Sequence, residues 1–401
     1  MKKIVGLILA LSLVFTGCGG GGNNQQQGAA NPKNETKPQA RVQQQNGVNP
    51  HPRTQQIKTA NRKPQEITPL QTVHKKTAID TIGFLEPIVP NKAVADVKDT
   101  KNSLSYAAFF SYRVKPDGNL IPINDEKALA AARKSGAAPM MVLTNFAEGN
   151  FSPDIAHRVF TDKAVSKRLI KNVINTMNAK GYKALNIDFE HIRPKDRQLY
   201  NGFLETIFPQ VRKAGYAVST ALAPKTSDEQ SGPWHGAHDY KRHGELADFV
   251  ILMTYEWGWS GGPPMAVAPI PQVRQVLDYA VSVIPRQKII MGAPLYGYDW
   301  TLPYKKGNPF AKRIAPQEAA DLAIKKGADV KYDNKAHAPW FNYTDDKGKK
   351  HVVWFENEQS MQAKFNQVKD YGLRGVAYWV LGEPFPQNWA MLKDQFVIKR
   401  H

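Results

Sequence analysis

Cysteine is almost missing: Cys18 is the sole one in 401 residues. A single thiol excludes an internal disulfide framework and any site built on paired cysteines. Acidic residues are also scarce, with 35 Asp and Glu against 54 Lys and Arg, a formal charge of +19. That balance suits anionic surroundings (membrane headgroups, nucleic acid or an acidic polymer) and does not choose among them. Long apolar runs are absent as well. The run Ile4–Phe15 is too short to span a bilayer as a finished helix. No glycine-rich phosphate loop follows the first candidate strand, and no nucleic-acid motif accompanies the basic charge, so no nucleic-acid partner is expected. His235, His238 and His243 cluster loosely without a partner pattern, and read as surface or groove residues. Neither a metal nor another cofactor is expected.

What is present begins with Lys2 and Lys3, the apolar run, and then Thr16, Gly17 and Cys18. Residues 1–17 resemble a bacterial lipoprotein signal, in which cleavage before the cysteine leaves its thiol to carry lipid. Phe15 stands where that pattern usually has Leu. A plain signal peptide with an incidental cysteine is the alternative. The sole cysteine occupies the one position that lipidation needs, which favours the first reading. The resemblance implies a secreted protein anchored through lipid on Cys18 to the outer face of the bacterial cytoplasmic membrane. Residues 18–76 read as a disordered tether. Gly19–Gly22, Asn23–Gln27 and Gln43–Gln45 are low-complexity runs, and Pro32, Pro38, Pro50, Pro52 and Pro64 break any helix. Nine Lys and Arg against two Asp and Glu make residues 19–76 basic. A coil of this length has an r.m.s. span of about 40–45 Å, enough to lift a domain into the wall layer.

From Ile79 the character changes, and residues 77–401 read as one domain. Short apolar, β-rich runs alternate with amphipathic stretches. Candidate strands are Ile79–Leu85, Leu104–Phe110, Pro139–Thr144, Ala184–Phe189, Ala217–Ala223, Phe249–Thr254, Lys288–Ala293 and Gly375–Val380. Between two of them Val165, Leu169, Ile170, Val173, Ile174 and Met177 recur at helical spacing, and Gly181 stops that helix. Eight strands alternating with helices predict a (β/α)8 TIM barrel, with a doubly wound open sheet as the alternative. Residues 300–370, before the last strand, read as a small α+β insertion. They hold a helical piece, Pro316–Lys326, and a hairpin of Trp340–Tyr343 and Val352–Phe355 about a turn at Asp345–Gly348. The insertion would form one wall of a groove.

Side chains alternate along a strand, so Asn186, Asp188 and Glu190 share one face while Ile187 and Phe189 face the helices. In a barrel the polar face points inward and the strand's C-terminal end carries the active site. Glu190 then stands at the rim with Asp188 about 6–7 Å below it. Close like charges raise one carboxyl's pKa, which suits an acid that must stay protonated near neutrality.

Asn186-Ile187-Asp188-Phe189-Glu190 resembles the end of the D-x-x-D-x-D-x-E signature of glycoside hydrolase family 18, the chitinase family. Within it, the chain is similar to the spore-cortex and cell-wall N-acetylglucosaminidase branch. Supporting segments are Gly83–Glu86, Phe110–Val114, Leu143–Phe146, Met253–Gly258, Pro294–Trp300 and Tyr378–Gly382. The resemblance spans roughly residues 79–392. Lys183, Ala184 and Asn186 replace the signature's first Asp, the Gly after it and its middle Asp; Lys183 is expected near the buried start of its strand. The resemblance implies that Glu190 is the acid and base, that Asp188 steadies the substrate's acetamide, and that Tyr255 donates to the acetamide oxygen. It also implies a substrate-binding set of Asn186, Glu256, Trp379, Asn145, Tyr296 and Trp257. The loop tryptophans Trp257, Trp259, Trp300 and Trp340 suit stacking on sugar faces. The implied reaction is hydrolysis of β-1,4 bonds at N-acetylglucosamine in peptidoglycan or spore cortex, retaining and assisted by the substrate's own acetamide. Chitin as substrate, and a non-catalytic glycan-binding lipoprotein, are the alternatives. A monomer whose partner is an N-acetylglucosamine-containing polysaccharide is expected.

Overall fold

The computed structural model describes residues 76–401, so the expected signal, Cys18 and the tether up to Lys75 lie outside the described residues. Eight parallel strands form the centre: β1 (Thr77–Leu85), β2 (Tyr106–Val114), β3 (Ala138–Thr144), β4 (Ala184–Asp188), β5 (Ala217–Leu222), β6 (Phe249–Leu252), β7 (Ile289–Pro294) and β8 (Gly375–Trp379). Each pairs with the next, and β8 returns to β1 with Asp80 opposite Gly375 and Gly83 opposite Tyr378. Closure settles the choice in favour of the barrel over the open sheet. The strand ends differ from the sequence reading in places. β2 begins two residues later and runs on to Val114, carrying Ser111 and Arg113 through a register shift against β3. Polar residues on an apolar strand hid that extension.

Alternation along the strands builds two packed layers. Leu185, Ile187 and Phe189 point outward into a cluster with Leu169, Val173, Phe203 and Ile207 of the surrounding helices. Ile82, Phe84, Tyr106, Met140, Val142, Phe249, Ile251 and Ile290 fill the interior. The helix Lys163–Lys180 shows how sequence sets these boundaries. The Asp162 side chain accepts the N–H groups of Ala164 and Val165, satisfying donors that the first turn leaves open. Gly181, with φ of 69°, takes the left-handed turn that ends the helix. At the barrel's lower end Asp80 accepts from Arg374 (2.5 Å) and contacts His401 (2.7 Å), whose ring stacks on Tyr106 at 4.6 Å.

Between β7 and β8 an antiparallel five-stranded sheet is inserted, comprising Gly297–Thr301, Lys312–Ile314, Lys331–Asp333, Ala338–Thr344 and Lys350–Trp354. The helix Pro316–Lys326 packs on one face of it around Phe341 and Val353. The hairpin pairs Trp340 with Trp354 and Tyr343 with His351. The helix Glu358–Asp370 that follows belongs to the barrel layer, where Met361, Phe365 and Val368 join the outer core. Among the described residues no helix is long and apolar enough to cross a membrane.

Candidate active site

β4 ends at Asp188, and Glu190 follows just past it at the upper rim. Both carboxyls are nearly sealed, with Asp188 5% and Glu190 7% exposed. Neither forms an ion pair among the described residues. Burial pushes Asp188 up to about 7. Burial raises Glu190 well above the carboxylate range, the Asp188 charge adds to this, and a hydrogen bond from Trp234 opposes it. Both are therefore shifted towards the protonated form, the one an acid catalyst needs.

Glu190 is held from several sides. Asn145 accepts its N–H (3.0 Å) and donates to its carbonyl (2.9 Å) and to that of Ser152 (3.0 Å). Asn145 was expected to bind substrate; its amide is committed to the main chain, so it positions Glu190. His238 donates to the carbonyl of Phe189 (3.0 Å) and accepts the N–H of Ala223 (2.8 Å). The indole N–H of Trp234 donates to Glu190 Oε2 at 2.6 Å.

Tyr255 and Glu256 lie just beyond β6. Tyr255 packs against Ala223, Trp234 and Met253, and burial raises its hydroxyl, with the charges of Asp188, Glu190 and Glu256 adding to the rise. Gly292 makes room for it: a Cβ there would lie 2.8 Å from Tyr255 Cε1 and 2.5 Å from the carbonyl of Leu252. Glu256 has φ of 69°, an uncommon conformation for a side-chain-bearing residue, and strain of this kind concentrates at functional sites. Its Oε1 accepts from the hydroxyls of Tyr296 and Tyr298, the latter at 2.9 Å, both from the start of the insertion. Tyr296 is buried and acts on the groove through Glu256. Trp379, at the end of β8, is half-buried and meets Phe110 edge-on at 4.8 Å. It joins Tyr255, Tyr296, Tyr298, Trp340 and Trp354 in one aromatic cluster beside the carboxyls. Asn186 lies on the inner face below Asp188, donating to Ser219 Oγ at 3.0 Å.

Some expected residues are elsewhere. Trp257 is half-buried and packs on the cluster between barrel and helices, not on the Trp379 cluster. Trp300 is buried, its N–H spent on the carbonyl of Gly262, so it offers no stacking face. Lys183 is exposed at the start of β4 rather than buried, so losing the acidic residue there leaves the interior untouched. His238 and His243 are core residues rather than surface ones, and burial lowers both below the usual imidazole range. Trp234 and Gly292 escaped the sequence reading. Trp234 follows Gly232-Pro233 in a long loop, and no spacing ties it to a carboxylate 44 positions earlier. Among the described residues no His, Cys, Asp and Glu group could hold a metal ion.

The family model for glycosyl hydrolases family 18 matches residues 100–383. The cortical fragment-lytic enzyme of Bacillus anthracis is 44% identical over 329 residues, 81% of this chain and 76% of that protein. The enzyme of the same description from Bacillus subtilis is 42% identical over 331 residues, with the same coverage of 81% and 76%. The crystal structure of the Bacillus cereus spore cortex-lytic enzyme SleL superposes with a TM-score of 0.79 at 42% identity, covering 81% of this chain and 76% of that one. With a closed eight-stranded barrel and two buried carboxyls at the end of its fourth strand, the chain belongs to glycosyl hydrolase family 18 and is a glycoside hydrolase.

Proposed function

We propose that this enzyme cleaves the β-1,4 bond following N-acetylglucosamine in spore-cortex peptidoglycan, by a retaining mechanism in which the substrate's acetamide oxygen is the nucleophile. The observation that carries the reading is the sealed Asp188–Glu190 couple beside Tyr255, without a countercharge. Glu190 donates its proton to the glycosidic oxygen as the acetamide oxygen attacks the anomeric carbon. Asp188 takes the acetamide N–H and steadies the cationic ring that forms. Tyr255 donates to the acetamide oxygen and aims it. Glu190, now ionised, removes a proton from the water that opens the ring. Trp379 and the aromatic cluster supply an apolar floor for the sugar. Glu256 lines the pocket, steadied by two tyrosines. Substrate assistance is one of the recognised departures from the two-carboxylate scheme.

The choice of cortex over other glycans rests on the cortex-lytic relatives. Mass spectrometry of fragments released from purified cortex, vegetative peptidoglycan and chitin tests it. Cortex fragments ending in N-acetylglucosamine support the proposal, and release from chitin alone overturns it. The acetamide role is tested with matched oligosaccharides that carry or lack the N-acetyl group, and with a thiazoline mimic of the cyclic intermediate. Equal cleavage of both sugars, with no inhibition, would remove Asp188 and Tyr255 from the roles given.

The proposal extends to location: Cys18 carries lipid that holds the enzyme on the outer face of the cytoplasmic membrane, opposite wall or cortex. Support comes from the sole cysteine standing directly after an apolar signal segment. Because one chain binds membranes only marginally, the basic tether adds to the attachment. Cys18→Ser should then move the protein to the soluble fraction with unchanged specific activity, and full membrane retention would contradict the anchor.

A further inference from the structure

Glu190 has two carboxyl oxygens, and only one can face the glycosidic bond with a proton on it. We propose that Trp234 decides which one, by confining the acid proton of Glu190 to Oε1. An indole N–H can donate and never accept. Trp234 Nε1 lies 2.6 Å from Oε2, so Oε2 must act as acceptor whether the group is ionised or neutral. In the neutral acid the better acceptor is the carbonyl oxygen, and the O–H falls to Oε1. Among the described residues Oε1 takes no side-chain or main-chain hydrogen bond, so it is free to approach a glycosidic oxygen.

Trp234 is fixed well enough to do this. Its ring is buried among Ala221, Ala223 and Met253, with Tyr255 against it. The loop that carries it is clamped at both ends. His238 bridges Ala223 to Phe189, the residue between Asp188 and Glu190. The buried Lys225 Nζ donates to the carbonyls of Asp228 (3.2 Å) and His238 (3.3 Å). Arg197 joins Asp228 to Asp239 across the same loop at 2.7 and 3.0 Å. The indole bond also favours the ionised carboxylate, offsetting part of the burial and of the Asp188 repulsion. The inference rests on Glu190 being the acid. In the first step the Oε1 proton moves to the glycosidic oxygen, which leaves with the bond's electron pair as the acetamide oxygen bonds to the anomeric carbon. In the second, water attacks that carbon, the acetamide bond breaks, and the water proton returns to Oε1. Oε2 keeps its indole partner throughout, so the carboxyl never has to rotate.

The test removes the donor and keeps the ring. Trp234→Phe, and the isostere benzothienylalanine at position 234, which replaces N–H by sulfur, are compared with wild type on a natural glycan and on a dinitrophenyl glycoside, whose leaving group needs little acid help. The expected result is a fall in kcat of about tenfold or more on the natural glycan, within the range of acid–base assistance. The dinitrophenyl substrate should lose much less, KM should hold, and the basic limb of the pH profile should move to higher pH. Equal losses on both substrates with an unmoved limb in the isostere would reduce Trp234 to packing and overturn the inference. Glu190→Gln run in parallel separates the two ideas: if it retains full activity, the reading of Glu190 fails; if it fails on the natural glycan while both Trp234 replacements behave as wild type, only the inference falls.

Discussion

Glu190 and Glu356 are both carboxyls sealed from water, yet their surroundings differ. Glu356, where the insertion rejoins the barrel, meets Lys364 at 2.7 Å, and each is 1% exposed. Ser360 Oγ donates to the same oxygen. Burial raises Glu356, and the Lys364 charge and these hydrogen bonds pull it back. Glu190 has no cation, an acidic neighbour in Asp188, and one indole donor. The first arrangement satisfies a charge; the second withholds satisfaction and stores a proton. A buried carboxyl left without a countercharge costs stability, so its persistence at a barrel strand's upper end is a mark of chemistry.

The sharpest way to break the contrast is Glu190→Gln, which keeps shape and removes the proton. Hydrolysis of cortex glycan should fall ~10²–10⁴-fold with the fold intact. Turnover at the wild-type rate would place the acid elsewhere. The mirror-image change is Lys364→Met, which leaves Glu356 buried and alone. It should cost on the order of 3–5 kcal/mol in urea denaturation, while activity per folded molecule holds, and Glu356→Leu in the same chain should recover most of the loss. No recovery in the double variant would mean that shape rather than charge matters there.

Asp188→Asn should do the opposite to stability. A carboxyl raised by folding favours the native state below its unfolded pKa, and that benefit is lost as pH climbs towards about 7. The variant, which cannot ionise, should therefore match wild type near pH 4 and exceed it by roughly 1 kcal/mol or more at pH 8. Thermal melts at the two pH values decide this, and a constant difference would refute it. The smallest effect is expected at the surface. Glu205, 47% exposed at the side chain, pairs with Arg242 at 2.7 Å, and Glu205→Gln should change stability by less than about 1 kcal/mol. A larger change in denaturation would show that solvent does not screen this site as assumed.

How far these features could be read from sequence depends on whether they follow the period of a single element. All eight barrel strands do, because inward and outward residues alternate. Asp188 and Glu190 share a face for the same reason, and Val165 to Met177 with the Gly181 stop gave a helix end to the residue. The failures are contacts made across the fold. Trp234 reaches Glu190 from another loop, Gly292 matters only because Tyr255 lies over it, and Asn145 turned out to hold main chain. His238 read as a surface or groove residue because the loop's inward fold, which buries it, leaves no periodic trace. The insertion was visible as a hairpin and a helix, but Glu358–Asp370 carries a barrel helix's pattern immediately after it, which blurred its far boundary.

The lower end of the barrel has a consequence for traffic. Arg374 lies 4.6 Å over the Phe249 ring, His401 covers Tyr106, and both side chains reach Asp80. Above them the interior is filled with apolar side chains, as a packed core rather than a pore. The floor is thus a plug of side chains, and whatever reaches the carboxyls comes from the side of the barrel that carries the strands' C-terminal ends.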